Sequence, residues 1–355
     1  MIFLLFSMRI GMLILQALDQ QKAGFPMKKV LVLMLLAAAS WLPAAASGID
    51  TLSPLPSSIV IEGVAQNPEG IEYDRNAHAF LLSSLNAGPV IRVGADGSWR
   101  PFTSGEPFPL STAGLHIDYP RNRLLVAGFD GLALMDKNPE TRGVAYLRTY
   151  DLSSGRLKQE VELSSLAPGA DAYFANDVAV DGEGNVYVSD WYAGLIYKVD
   201  VSAKASVFWR NDRGLAGGPN GLDVHPDGYL LASMLAVNDR GIYSAHALMR
   251  IPLRSPAQAE VVDIRDPRFA GFDGMVVTAG GNVVGITSDG KTGGGNRMIE
   301  LAGENGWRSA RVLQSAAIAP STTVAVTPDG HYYVINQDFA DGNRKTWKIE
   351  KIEFR

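Results

Sequence analysis

From about residue 58 onward, apolar and polar residues alternate in short runs bounded by Gly, Pro, Asn or Asp. This period of two predicts half-buried strands. No stretch beyond residue 47 shows strong helical periodicity. The alternation is organised in a repeat. Each copy opens with a small or polar corner, continues as an apolar strand, turns through a Gly-containing hairpin and returns as a second strand. The copies begin Pro68-Glu69-Gly70-Ile71, Thr112-Ala113-Gly114-Leu115, Asn176-Asp177-Val178, Pro219-Asn220-Gly221-Leu222, Asp273-Gly274-Met275 and Ser321-Thr322-Thr323-Val324.

The corners fall at 69, 114, 176, 220, 273 and 321, with spacings of 45, 62, 44, 53 and 48 residues. Repeats of about 40–50 residues that begin with hairpins predict propeller blades, and six copies predict an all-β, six-bladed β-propeller. A pair of β-sandwiches would not explain six equivalent corners. Ser58–Glu62 precedes the first corner and reads as a strand. It is expected to complete the last blade beside Trp347–Ile352, leaving no free sheet edge at the join. The long second interval predicts an insertion around Asp136–Gly143.

The N-terminus follows another pattern. Lys28-Lys29, an apolar run from Val30 to Leu42 and then Pro43-Ala44-Ala45-Ala46-Ser47 read as a secretory signal peptide cut after Ala46. The run is short for a membrane span, which needs about 20 apolar residues. Residues 1–26 read as an upstream extension, with Met27 as the true start. The expected organisation is therefore a leader over 1–46 and a propeller over 47–355, periplasmic or secreted, with no stable membrane partner after cleavage. The leader carries four basic residues and one acidic one, so the 32 and 37 of the whole chain become 28 and 36. That acidic balance gives no footprint for nucleic acid. The absence of cysteine excludes disulfides, thiol catalysis and thiolate metal sites.

In a propeller the innermost strands run beside a central channel, so six corners distant in sequence converge at its mouth. They bring Glu69, Asn176 with Asp177, Asn220 and Asp273 together. Asn, Asp and Gly are ordinary turn residues when taken singly. Their coincidence at equivalent positions of four blades points instead to a ligand set. Carboxylate and amide oxygens without sulfur or imidazole suit Ca²⁺, which takes 6–8 oxygens.

The motifs Pro68-Glu69-Gly70, Asn176-Asp177, Asn220-Gly221-Leu222 and Asp273-Gly274-Met275, in that order, resemble the gluconolactonase and regucalcin (senescence marker protein) family. The resemblance covers roughly residues 58–355, with a more distant likeness to the paraoxonases. It implies a divalent metal held by Glu69, Asn220 and Asp273, with Asn176 as a further ligand or a substrate contact. It also implies that Asp273 doubles as general base in hydrolysis of a lactone or related ester. Members often carry Arg two residues before the third-corner Asn, where this chain has Phe174. That exchange shifts the expected substrate from an acidic sugar lactone to a more apolar small molecule. Tyr173, Phe174 and Asp177 are candidate substrate contacts, and Trp191 and Tyr192 candidate wall residues. The alternative of another class is a non-catalytic ligand-binding propeller with a structural metal.

Two further signals are weighed against this. Gly285 to Thr292 matches the P-loop pattern, but Gly293-Gly294-Gly295-Asn296 follows where a helix would have to begin, so no nucleotide is expected. The histidines show no zinc spacing, and there is no nucleophile elbow.

Overall fold

The structure is a computed structural model and describes residues 54–64, 67–130, 143–237, 243–288, 296–337 and 344–354. The leader, most of the expected insertion and the second half of the P-loop match lie outside them. Leu55–Arg355 forms one compact unit of six four-stranded antiparallel sheets. Strand β1 (Ser58–Glu62) comes first in the chain. Blade 1 contains β2 (Ile71–Asp74), β3 (Ala79–Leu82), β4 (Ile91–Val93) and β5 (Trp99–Pro101). Blade 2 contains β6 (Ser111–Asp118), β7 (Arg123–Phe129), β8 (Ala145–Asp151) and β9 (Leu157–Glu162). Blade 3 contains β10 (Ala175–Val180), β11 (Val186–Asp190), β12 (Leu195–Val199) and β13 (Ala205–Arg210). Blade 4 contains β14 (Gly218–His225), β15 (Tyr229–Val237), β16 (Tyr243–Pro252) and β17 (Glu260–Val261). Blade 5 contains β18 (Met275–Val277), β19 (Val283–Ser288), β20 (Asn296–Glu304) and β21 (Ser309–Ile318). Blade 6 contains β22 (Ser321–Val326), β23 (Tyr332–Asn336) and β24 (Thr346–Ile352), and β1 completes it.

The expected closure is present: Ser58 pairs with Glu350, Val60 with Lys348 and Glu62 with Thr346. The first and last described strands are thus locked into one sheet. The only described helices are three single-turn 3-10 segments, and none is long and apolar enough to cross a membrane. Gly285, the start of the P-loop match, lies inside β19 rather than in a phosphate-cradling loop.

The core is not one mass. Six clusters of buried apolar side chains lie one at each joint between blades. At the closing joint, Ile61, Tyr333, Trp347 and Ile349 of blade 6 pack with Tyr73 and Phe80 of blade 1. Each fully buried Leu or Ile contributes about 1.5–3 kcal/mol, so every joint is a separate apolar seam. The seams lie between the sheet faces, which leaves the inner strands free to present polar side chains to the axis.

At four corners the inner strand carries the same irregularity. Asn176 and Asp177 lie between the Ala175–Asp190 and Val178–Val188 pairs, two residues opposite one. Asn220-Gly221, Ala113-Gly114 and Thr322-Thr323 occupy the same place in their blades. These are β-bulges, which re-aim side chains and interrupt the ladder. Corners expected just before the inner strands therefore lie inside four of them.

Candidate functional site

Neighbouring corners touch in order around the axis. A Cβ on Gly70 would stand 2.4 Å from the carbonyl oxygen of Ala113, and one on Gly114 2.6 Å from Cα of Asp177. The Leu222 N–H donates to Oδ2 of Asp177 at 3.0 Å. A Cβ on Gly221 would stand 2.2 Å from the carbonyl oxygen of Asp273. The Gly274 N–H donates to the Thr322 carbonyl at 2.7 Å, and Thr322 Oγ1 donates to the Glu69 carbonyl at 2.7 Å. These six contacts close a ring through all six blades. Glycine after a corner is required because backbone fills the space a side chain would take.

The ring brings Glu69, Asn176, Asn220 and Asp273 to one end of the channel. Glu69, Asn176 and Asn220 are buried, and Asp273 is half-buried. The electrostatics are those of a crowded, buried acidic site. Burial first, and then the carboxylates of Asp273 and Asp177, hold the Glu69 carboxyl well above its usual range. Among the described residues, no hydrogen-bond donor meets the buried Oδ1 atom of Asn220. An orphaned amide oxygen beside mutually repelling carboxyls is costly as it stands and fits a hard cation, which takes such oxygens as ligands. The donor chemistry therefore passes the test for a divalent ion held by Glu69, Asn220 and Asp273, with Asn176 beside them.

The expected substrate contacts separate into two groups. The half-buried Phe174 packs on Phe129 with ring centroids 4.1 Å apart, and lies 6.0 Å from each of Trp191 and Tyr192. Tyr192 is 56% exposed, so the four rings form a ledge beside the Asn176 corner. The ledge is pinned from below. Asp190 Oδ1 accepts the Phe174 N–H at 2.8 Å and the Ala193 N–H at 3.0 Å, while the Trp191 N–H donates to the Phe174 carbonyl. Burial pushes the Asp190 carboxyl up to about 6 despite these bonds. The polar atoms of Tyr173 and Asp177 are engaged by the fold itself instead. The Tyr173 hydroxyl donates to the Ala167 carbonyl within the blade 2–3 seam. Both oxygens of Asp177 are taken by backbone N–H groups, of Val178 and Leu222.

A second polar tier lies three residues further along the inner strands. Glu72, His116 and Asp223 line a cavity of about 270 Å³ together with Asp177, Tyr119 and Arg75. Burial, with the charges of Asp223 and Asp177, pushes Glu72 up to about 8. Burial holds the His116 imidazole below its usual range. Its Nδ1 stands 3.8 Å from Glu72 Oε1, beyond hydrogen-bonding reach. Sequence reasoning passed over Glu72 and Asp223, and read the histidines only as lacking zinc spacing. The missed signal was spacing: Glu72 and Asp223 stand three residues after the corner residues Glu69 and Asn220, and His116 two residues after the Gly114 corner.

No protein-family model matches the sequence, and no curated relative does. Solved structures do match. The Mala s 1 allergen of Malassezia sympodialis aligns with a TM-score of 0.66 at 18% identity, covering 84% of this chain and 97% of that one. A gluconolactonase from Xanthomonas campestris aligns at 0.53 and 14% identity, covering 86% and 94%. A regucalcin from Agrobacterium tumefaciens, described as calcium-binding, aligns at 0.53 and 17% identity, covering 85% and 95%. This chain shares their six-bladed propeller fold. The fold expected from the corner motifs is therefore the one present.

Proposed function

We propose that this chain is an exported, metal-dependent hydrolase of a lactone or related ester, with Ca²⁺ as the resident ion. The observation that carries the reading is the orphaned, buried amide oxygen of Asn220 in a ring with Glu69 and Asp273. Glu69, Asn220 and Asp273 would hold the ion, and Asn176 would complete the set or meet the substrate. A bound divalent ion supplies Lewis-acid polarisation of the ester carbonyl and offsets oxyanion charge. Asp273 takes the proton of the attacking water as its oxygen bonds to the acyl carbon, then returns it to the departing alkoxide. Phe174, Trp191 and Tyr192 form the wall for an apolar arm of the substrate and shield the reacting ester from bulk water.

The second reading is a non-catalytic binding propeller with a structural metal, favoured by an aromatic ring at Phe174 where related hydrolases often place a guanidinium. Hydrolysis by the purified protein, with chelator or Ca²⁺, decides between them. The substrate panel runs from gluconolactone to long-chain acyl lactones and aryl esters. Chelator-sensitive turnover, lost by about 10²–10⁴-fold in a folded Asp273→Ala variant, is the expected result. No turnover across the panel, with Ca²⁺ still raising the unfolding midpoint, establishes the binding propeller.

A further inference from the structure

Blades of a propeller are not hydrogen-bonded to one another through their ladders, so the separation of two corners must be fixed by something else. Between blades 3 and 4 and between blades 4 and 5 it is bridged by carboxylates. Asp177 accepts the N–H of its own neighbour Val178 at 2.8 Å on Oδ1 and that of Leu222, in the next blade, at 3.0 Å on Oδ2. Asp223 repeats the arrangement one blade on. Its Oδ1 accepts Val224 N–H at 2.7 Å, and its Oδ2 accepts Val277 N–H of blade 5 at 2.7 Å. A carboxylate suits this work because it accepts at both oxygens and has no proton that must be placed.

The two staples bracket one residue. Asp177 joins the Asn176 strand to the strand two residues past Asn220, and Asp223 joins the Asn220 strand to the strand four residues past Asp273. Between them stands the Asn220 amide oxygen without a donor. The corners themselves sit in bulges, where the ladder gives least support. We propose that Asp177 and Asp223 are positioning residues. They set the spacing of Asn176, Asn220 and Asp273, and hence the affinity of the channel mouth for a divalent cation. This inference rests on the reading of the corners as a metal centre and adds the residues that tune it.

The test is calorimetric titration of the purified protein with Ca²⁺ alone, paired with thermal unfolding in chelator. Asp223→Leu, which removes both acceptors at similar volume, is expected to weaken Ca²⁺ binding about 10–100-fold, the range seen when groups supporting metal ligands are removed. Asp223→Asn keeps one acceptor oxygen and is expected to weaken it less; Asp177→Asn acts in the same direction. Asp181→Asn is the structural control. Asp181 is a buried carboxylate that also accepts backbone N–H groups, from Gly184 and Asn185, but away from the corners. That variant should lower the unfolding midpoint and leave Ca²⁺ affinity unchanged. Should Asp223→Leu not fold, Asp223→Asn carries the test. Unchanged Ca²⁺ affinity in a folded Asp223 variant overturns the positioning role alone. An unmodified protein that binds no Ca²⁺ overturns the metal centre, and the positioning role with it. Equal losses of affinity in the Asp181 and Asp223 variants show a general stability effect and also overturn it.

Discussion

The channel mouth and the cavity three residues below it are built from the same strands and carry similar side chains, yet their polar atoms are engaged differently. At the mouth, Glu69 lies near Asp273 and Asp177, and the Asn220 oxygen has no donor. In the cavity, both oxygens of Asp223 are occupied by backbone N–H groups, of Val224 in its own blade and of Val277 in the next. Burial raises Glu69, Glu72 and Asp223 alike. The mouth thus holds a buried oxygen, Asn220 Oδ1, with no donor among the described residues, whereas both oxygens of Asp223 have theirs; residue type and burial alone do not tell the two tiers apart.

The largest expected break in this contrast is at the mouth backbone. Gly221→Ala forces a Cβ against the Asp273 carbonyl, 2.2 Å away, and must displace one corner from the other. Displacements of about 1 Å can cost 10²-fold in rate, so turnover should fall by about that much while the blade seams stay intact. Steady-state kinetics beside circular dichroism measure it, and wild-type turnover would show that the corners need not be in register.

Paired amide substitutions sharpen the contrast. Glu69→Gln should weaken Ca²⁺ binding by at least about tenfold, yet raise the unfolding midpoint in chelator by removing a buried charge near two others. Glu72→Gln should leave Ca²⁺ affinity unchanged. Equal losses in both variants would erase the distinction between mouth and cavity.

The pH dependence of stability gives a subtler separation. Glu72 moves from 4.5 to about 8 and Asp177 from 3.8 to about 7, so the folded chain holds protons that the unfolded chain releases. Stability from these groups is present below about pH 4 and is lost as pH rises through about 7–8. In chelator the unfolding midpoint should fall over that window. Glu72→Gln should flatten the upper part of the fall, and Ca²⁺ should flatten the part due to the mouth. Unfolding scans from pH 4 to 9 check this; a midpoint that rises across the window contradicts the raised values.

The smallest effect is expected on the aromatic ledge. Tyr192→Ala removes an exposed ring 6.0 Å from Phe174 and should raise KM for aryl or long-chain esters about 2–10-fold, leaving small lactones unaffected. A uniform change across the series would place Tyr192 outside the substrate path.

How much of this was legible in advance follows from the kind of interaction involved. The blade count, the closing pair of Ser58–Glu62 with Trp347–Ile352, and the corner positions are carried by local alternation and spacing. Those are properties of the chain itself. The likeness of the four polar corners is equally a matter of sequence order. Tyr173 and Asp177 were less legible. Each lies within three residues of Asn176 in sequence, but its polar atoms are engaged by the fold itself, the Tyr173 hydroxyl by Ala167 and both Asp177 oxygens by backbone N–H groups.

The sequence by itself determined the strands, their number and the oxygen-rich chemistry of the corners, because period and spacing encode them. Only the tertiary structure decided which oxygens are spent on backbone N–H groups and which are left open. The inter-blade partners of Asp177 and Asp223 lie 45 and 54 residues away along the chain, in the next blade. They meet only once neighbouring blades have packed.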